Sequence, residues 1–202
     1  MCSSDLDHGA LNFIGGGNLF VYSDRRPIDA AMMPTFGKPA WGSQWKAFIK
    51  QNADRWNLAT MQKTTLPYED NYLDLDPTVK DRLGNPVIRI TADWKENDLK
   101  MSAYLKDKMR LWFKEAGAIA TEDAPTGTQG PSTHAIGGTR MGVNKETSTT
   151  DRWGFAHEVP NLGLMGGSVM GVSGARNPTL TIMALSWRTG EHLAKQWQSI
   201  AR

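Results

Sequence analysis

The sequence predicts an α+β chain, and three observations predict it. Short apolar runs bounded by turn residues, such as Leu19-Phe20-Val21-Tyr22 and Pro86-Val87-Ile88-Arg89-Ile90, read as strands. Tyr104, Leu105, Met109, Trp112, Phe113 and Ala116 recur at helical spacing, as do Leu180, Ala184, Trp187, Ala194 and Trp197. Between these two stripes lies a Thr-, Gly- and Pro-rich stretch from Thr121 to Pro131, which reads as a linker or loop joining two regions.

Taken in order, residues 7–40 carry Gly15-Gly16-Gly17 and several proline turns, and predict loops with one or two strands. Ser43 is placed to cap a helix bearing Trp45, Phe48, Ile49 and Trp56. Thr60 to Asp76 reads as extended, Asp81 to Asn85 as a turn, and Pro86 to Ile90 as a strand. Asn97 is expected to cap the long helix from Asp98 to about Ala116, which Gly117 ends. Leu162-Gly163-Leu164-Met165 reads as a buried strand. Asn177 is then expected to cap the closing helix with Pro178 at its first position, reaching about Ser199.

Composition narrows the function classes. The 202 residues hold 23 Lys+Arg against 21 Asp+Glu, for a net charge of +2. No basic stripe is interleaved with aromatics, so nucleic-acid binding is not expected. Apolar runs stop well short of a membrane span, and no charged-then-apolar signal segment opens the chain. Cys2 is the sole cysteine, which excludes intrachain disulfides and thiolate metal clusters. Eight tryptophans and ten methionines mostly predict core packing, although tryptophans also stack on sugar rings. Met1-Cys2-Ser3-Ser4-Asp5-Leu6 matches a common sequencing adapter translated from a GTG start. Residues 1–6 are therefore expected to be an artefact at a fragment edge, with the reading frame continuing upstream.

The chemistry concentrates in the tail. His134 lies in a glycine-rich loop with Gly137 and Gly138. Neutral imidazole, with an ordinary pKa of about 6.5, suits the proton of an alcohol being oxidised. Glycines beside it let backbone approach a planar cofactor, since no Cβ intervenes. The Asn177-Pro178-Thr179 helix start offers unpaired N–H groups and positive dipole charge to an anion, such as the edge of a reduced flavin. Asn177 also has an amide to donate to a substrate hydroxyl. Gly166-Gly167-Ser168, after a strand, forms the small turn at which cofactor phosphate or ribityl groups lie. Each feature has a plainer reading: a hydrogen-bonded loop histidine, a mere cap, a tight turn.

Other motifs are weaker. Gly171-Val172-Ser173-Gly174-Ala175 resembles a serine nucleophile elbow with its last glycine altered, which would pair Ser173 with His192 or His157. The helix expected at Pro178 starts too far downstream for that elbow. Gly15-Gly16-Gly17 does not extend into a dinucleotide fingerprint, because Phe20 stands where the last glycine is required. His8, His157 and His192 show no metal-ligand spacing, so no metal is expected.

Five blocks stand in order: Ser132-Thr133-His134-Ala135-Ile136-Gly137-Gly138-Thr139-Arg140-Met141-Gly142, Thr150-Asp151, Val159-Pro160-Asn161-Leu162, Gly166-Gly167-Ser168 and Asn177-Pro178-Thr179-Leu180-Thr181. Together they resemble the glucose-methanol-choline (GMC) oxidoreductases, most closely the sugar and polyol dehydrogenase large subunits related to gluconate 2-dehydrogenase. Leu75-Asp76-Pro77, Lys80-Asp81, Gly84-Asn85-Pro86-Val87 and Arg89-Ile90 look like that group's substrate-domain segment, so the likeness runs from about residue 9 onward.

The resemblance implies a substrate-binding domain over 7–130, mostly antiparallel sheet backed by helices. It implies a flavin-contacting segment over 131–202, the last strand and helix of an FAD-binding α/β domain whose N-terminal dinucleotide-binding unit is missing here. It further implies FAD as cofactor, His134 and Asn177 as the active-site pair, and backbone at Gly167-Ser168 and Pro178-Thr179 along the flavin. Gly166 stands where several members carry an acidic ribityl-binding residue, so that contact departs from the pattern. The implied substrate is an alcohol group of a sugar, sugar acid or polyol, and the implied partners are a small subunit and a cytochrome c electron acceptor. The resemblance agrees with a setting in the bacterial periplasm or at the inner-membrane periphery, and it leaves the cytoplasm open. With the adenosine-binding unit missing, the chain alone is expected to bind FAD weakly and to be inactive. The competing expectations are a carbohydrate-binding module that uses the tryptophans and, behind it, the Ser173 hydrolase.

Overall fold

The computed structural model describes residues 9–22, 29, 37, 40–124 and 133–200. The adapter-like residues 1–6, His8, Ser132 and most of the expected 121–131 linker lie outside the described residues. The α+β reading holds, with antiparallel ribbons and three helices in the order β1 (Gly17–Tyr22), α1 (Gly42–Asn52), β2 (Leu58–Lys63), β3 (Tyr72–Lys80), β4 (Pro86–Thr91), α2 (Glu96–Glu115) and α3 (Thr179–Ile200).

β1 and β2 pair antiparallel, with Asn18 opposite Gln62 and Leu19 opposite Met61. Since side chains alternate across a strand, this register gives the ribbon two distinct faces. One face turns to α2. Leu19 and Met61 pack there against Phe13, Met101 and Leu105, with Met101 fully buried. Gly17 lies on the same face, and a Cβ on it would stand 2.4 Å from Leu105 Cδ1, so the helix approaches too closely for any side chain. Lys63 also points this way and donates to Asp98 O at 2.8 Å and Ser102 Oγ at 2.7 Å, with its ammonium 4.0 Å from the Trp94 ring centroid. Burial lowers the Lys63 pKa, and the Asp98 charge opposes that shift.

The second ribbon is a hairpin closed by the expected Asp81–Asn85 turn. The Asp81 carboxylate accepts from Leu83 N–H at 2.8 Å and Asn85 N–H at 2.9 Å, while Gly84 takes the left-handed conformation at φ +87°. Those backbone donors hold the Asp81 carboxyl below its ordinary range. Arg89 clamps the opposite Asp74 through two hydrogen bonds, one of them Nε to Oδ1 at 2.8 Å. The other face of this ribbon carries Leu73, Leu75, Ile88 and Ile90, all exposed.

The helix ends refine the expectations. Gly117 at φ +82° donates to Lys114 O at 3.0 Å, and Ala118 donates to Phe113 O at 2.9 Å, a Schellman closure of α2. Asn97 does not cap α2. Lys95 holds the cap position, and Asp98 accepts from Lys95 N–H at 3.1 Å. Asn97 instead grips Ile14 with both ends of its amide, accepting from N–H at 2.7 Å and donating to the carbonyl at 3.0 Å. Ser43 is likewise not the cap of α1, since Trp41 precedes the helix and makes no side-chain cap bond.

Leu162 to Met165 is not a buried strand. Leu162 and Met165 are about half exposed, and the segment makes one isolated antiparallel bridge, Gly163 to Phe155. Its ladder stops at two bonds, Ala156 N–H to Leu162 O and Leu164 N–H to Gly154 O, because Gly154 turns the partner chain away at φ +88°. This loop-rich region is stitched by Thr150, which is fully buried and bonded to Gly142 and Arg140 through its backbone. Asp151 adds to the stitching by accepting from Trp153 and Phe155 N–H at 2.7 and 3.0 Å.

Candidate functional site

Three chain segments meet around the His134 loop. Thr139 N–H donates to Ser168 O and Met141 N–H to Val169 O, each at 2.9 Å, so residues 139–141 run beside the 3₁₀ turn Gly167–Val169. A Cβ on Gly167 would lie 2.9 Å from the Ala135 carbonyl oxygen and 3.4 Å from Ile182 Cδ1. The backbone next to His134, the Gly167 turn and the first turn of α3 are therefore in mutual contact. His134 itself is half-buried. Gly137 needs to be glycine for its backbone, at φ +85°. Gly138 has a different reason: a Cβ there would meet Leu73 Cδ1 at 3.0 Å, so it admits the β3 side chain.

The segment leading into α3 is held by the second face of the β1–β2 ribbon. Asn18 donates to Ala175 O at 2.6 Å, fixing a buried non-glycine residue at φ +56°. Arg176 lies 5.4 Å from the Phe20 ring centroid. Gln62, directly across from Asn18, donates from Nε2 to Asn177 Oδ1 at 2.7 Å. The expectation that Asn177 caps α3 needs correction. The first helical bond runs from Ile182 N–H to Pro178 O at 2.9 Å, which puts Pro178 at the cap and Asn177 one residue outside. With its oxygen engaged by Gln62, Asn177 presents its Nδ2 group from an exposed position at the mouth of the helix.

The family model for GMC oxidoreductases matches residues 67–186. The chain belongs to the GMC oxidoreductase family. A gluconate 2-dehydrogenase flavoprotein from Pantoea cypripedii is 31% identical over 206 residues, covering 96% of this chain and 33% of that protein. A 2-methyl-1,2-propanediol dehydrogenase from Mycolicibacterium austroafricanum is 34% identical over 160 residues, 79% of this chain and 29% of the relative. The fructose dehydrogenase large subunit of Gluconobacter japonicus is 36% identical over 126 residues, 62% of this chain and 23% of the relative. The chain thus spans about a third or less of these relatives, and its likeness falls in their sugar-dehydrogenase group.

In this GMC chain the sequence-predicted residues fall on both sides of one junction. Gly166, Gly167 and Ser168 form the turn against the His134 loop, and Asn177, Pro178 and Thr179 lead into α3, whose Ile182 the turn also meets. Gly166 adopts φ +108°, and a Cβ on it would meet nothing within 4 Å, so its backbone faces open space. The Oγ1 of Thr139, the residue whose N–H bonds Ser168, is buried with no hydrogen-bond partner among the described residues. An open cleft of about 620 Å³ borders the loop at Arg140 and Met141 and continues to Leu66, Pro67, Gly171 and Val172. It is lined by neither His134 nor Asn177.

The serine-nucleophile motif finds a structural use instead. Ser173 Oγ accepts from Ala175 N–H at 3.4 Å, within the bend that precedes Asn177. A Ser–His contact does exist elsewhere, Ser148 Oγ to His157 Nε2 at 3.1 Å. Ser148 gives its proton to Asn144 O at 2.6 Å, so its oxygen meets His157 as an acceptor, the wrong polarity for an activated nucleophile. His192 stacks on Trp153 at 4.1 Å and 1°, with Arg188 also 4.1 Å from that ring, a packing arrangement. Sequence reasoning missed Asn18 and Gln62. Their signal was faint: two amides at polar positions of alternating strands, legible only once the register placed them opposite each other.

Proposed function

We propose that this chain forms the substrate side and C-terminal flavin-contacting part of an FAD-dependent dehydrogenase that oxidises an alcohol group of a sugar, sugar acid or polyol. Residues 7–130 then serve as the substrate-binding part and 131–202 as the part that meets the cofactor. The observation that carries this reading is the close packing of the Gly167 turn on the Ala135 carbonyl and on Ile182, which ties the His134 loop to the mouth of α3. The Gly166–Ser168 turn has open backbone at Gly166, a feature suited to a polar chain laid across it. FAD, when bound, supplies an acceptor for hydride at flavin N5.

The chain's own residues supply the rest. The His134 imidazole takes the hydroxyl proton as the carbon–hydrogen bond gives up its electron pair, so no free alkoxide forms in water. Asn177 Nδ2 donates to the hydroxyl oxygen and fixes which carbon faces the ring. Backbone N–H groups at Thr179 and the start of α3 would stabilise negative charge on the bound cofactor, and Gly167, Ser168 and Pro178 would line it. A small subunit and a cytochrome c are the proposed electron-transfer partners, in keeping with the relative named as a large subunit. Among the described residues no helix is long and apolar enough to cross a membrane, and only antiparallel ribbons are present. Lacking a parallel dinucleotide-binding unit in what is described, the 202-residue chain alone is expected to bind FAD weakly; a stoichiometric yellow protein from this chain would overturn that expectation.

The experiment is flavin reduction by sugars and polyols in the flavin-loaded protein containing this chain. His134→Ala is expected to lower kcat about 100- to 10,000-fold with flavin content unchanged. Undiminished turnover in that variant would defeat the assignment of His134.

A further inference from the structure

Ala175, two residues before Asn177, is buried and held in a conformation its own side chain opposes. It lies at φ +56°, in the left-handed region, which a Cβ disfavours roughly 5- to 30-fold against the right-handed one. Among the described residues the other non-glycine at positive φ is Asn12, a residue type enriched there. Strain of this kind persists only where the surroundings over-determine it. Here side chains meet both backbone polar groups of Ala175. Its carbonyl accepts from Asn18 Nδ2 at 2.6 Å, and its N–H donates to Ser173 Oγ at 3.4 Å. Without the Asn18 donor, that carbonyl is left unanswered at a buried residue, and turning the peptide to another partner also relieves the backbone.

The chain on either side is anchored. Upstream, Ser173 N–H donates to Thr65 O at 3.4 Å. Downstream, Pro178 has its φ set by its ring and opens α3, whose Ile182 meets the Gly167 turn. Residues 174–177 are therefore the stretch that absorbs any relaxation, and Asn177 stands at its end. Resting on the dehydrogenase reading above, we propose that Asn18 is a positioning residue that keeps Ala175 left-handed and thereby aims the Asn177 carboxamide. Asn18 on β1 stands opposite Gln62 on β2, so the two amides divide the task. Gln62 takes the Asn177 oxygen at 2.7 Å and sets the rotation of the carboxamide. Asn18 sets where that carboxamide stands. It acts through the backbone and requires no contact with substrate. The strain at Ala175 is what makes Asn18 necessary, because a relaxed backbone would keep its place without a clamp.

The test is a double-mutant cycle in the flavin-loaded protein containing this chain, with Asn18→Ala, Ala175→Gly and the two combined. Each is read by Tm, flavin content and steady-state kinetics on D-gluconate, D-fructose and 2-methyl-1,2-propanediol. Asn18→Ala is expected to lower Tm and to cut kcat about 10- to 100-fold with KM changed less, since a misplacement of about 1 Å costs about 100-fold. Glycine reaches positive φ about as readily as negative, so it removes the call for a clamp. Adding Ala175→Gly is therefore expected to recover most of both losses, which a merely structural contact would not allow. Asn18→Asp keeps the shape of the side chain and lacks the donor, and is expected to lose as much kcat as Asn18→Ala. Additive effects, with no recovery by glycine, overturn the clamp. A Tm that recovers beside a kcat that never fell overturns the positioning role. Full kcat in Asn18→Asp overturns the part given to the donor. If none of the three compounds reduces the flavin in the intact protein, the dehydrogenase reading fails and the positioning role falls with it, while the Tm arm of the cycle still decides the clamp.

Discussion

Gly167→Ala tests the junction on which the site depends. Gly167 has ordinary backbone angles, so alanine brings contact and no conformational strain. The new methyl would stand 2.9 Å from the Ala135 carbonyl oxygen, 3.4 Å from Ile182 Cδ1 and 3.9 Å from Ile136 Cγ2. Ile182 has a flexible end that can give way. A carbonyl oxygen moves only with its backbone, and that backbone adjoins His134. Restoring an ordinary contact of about 3.4 Å requires the loop to retreat by roughly 0.5 Å. Overpacking of this kind costs about 1–3 kcal/mol. For a domain of this size each 1 kcal/mol lowers Tm by about 2–4 °C. Since a displacement of about 1 Å in a catalytic constellation costs about 100-fold, half of it predicts roughly a tenfold fall in kcat. The assay is steady-state kinetics with flavin content and calorimetry on the same preparation. Gly190→Ala is the control, because a methyl there meets nothing within 4 Å inside helix α3. It is expected to keep kcat and gain about 0.5–1 kcal/mol from helix propensity. Unchanged kcat and Tm in Gly167→Ala would refute the idea that this turn props the His134 loop.

Met101→Ala empties the centre of the contact between α2 and the β1–β2 ribbon and is expected to cost about 2–5 kcal/mol, read by urea unfolding. Because that ribbon carries Asn18 and Gln62, the variant should also raise KM before it unfolds. The Asp81 carboxyl sits below its ordinary range, so its contribution to the β3–β4 turn is complete above the unfolded value of about 3.9 and is lost as pH falls through the lower folded value. Amide exchange at Leu83 and Asn85 is expected to quicken in that acid window. Asp81→Asn keeps a side-chain oxygen acceptor and is expected to remove the pH dependence while leaving the turn closed.

Much of the fold was legible because its signals are local. The α2 stripe, the Gly117 stop and the Asp81 turn depend on residues within about five positions, which sequence periodicity and turn chemistry report directly. Helix caps were less legible. Asn97 and Asn177 both have cap-type side chains, but each spends its amide on a remote segment, Ile14 in one case and Gln62 in the other. Leu162 to Met165 has a strand's composition and lacks a strand's neighbour, since Gly154 bends the partner chain away after two bonds. Gly138 shows the same limit: the sequence offers an absent Cβ, and Leu73 rather than a cofactor fills the space.

Sequence alone determined the class of the chain, the two long helices, the hairpin turn and membership in the GMC family, since ordered blocks around His134 and Asn177 survive as a linear pattern. Only tertiary structure decided how those residues are supported. Gln62 meets Asn177 across 115 positions and Asn18 meets Ala175 across 157. No periodicity spans such separations. The β1–β2 register puts both amides on one face, and the burial of Met101 and Leu105 on the other face holds that register in place.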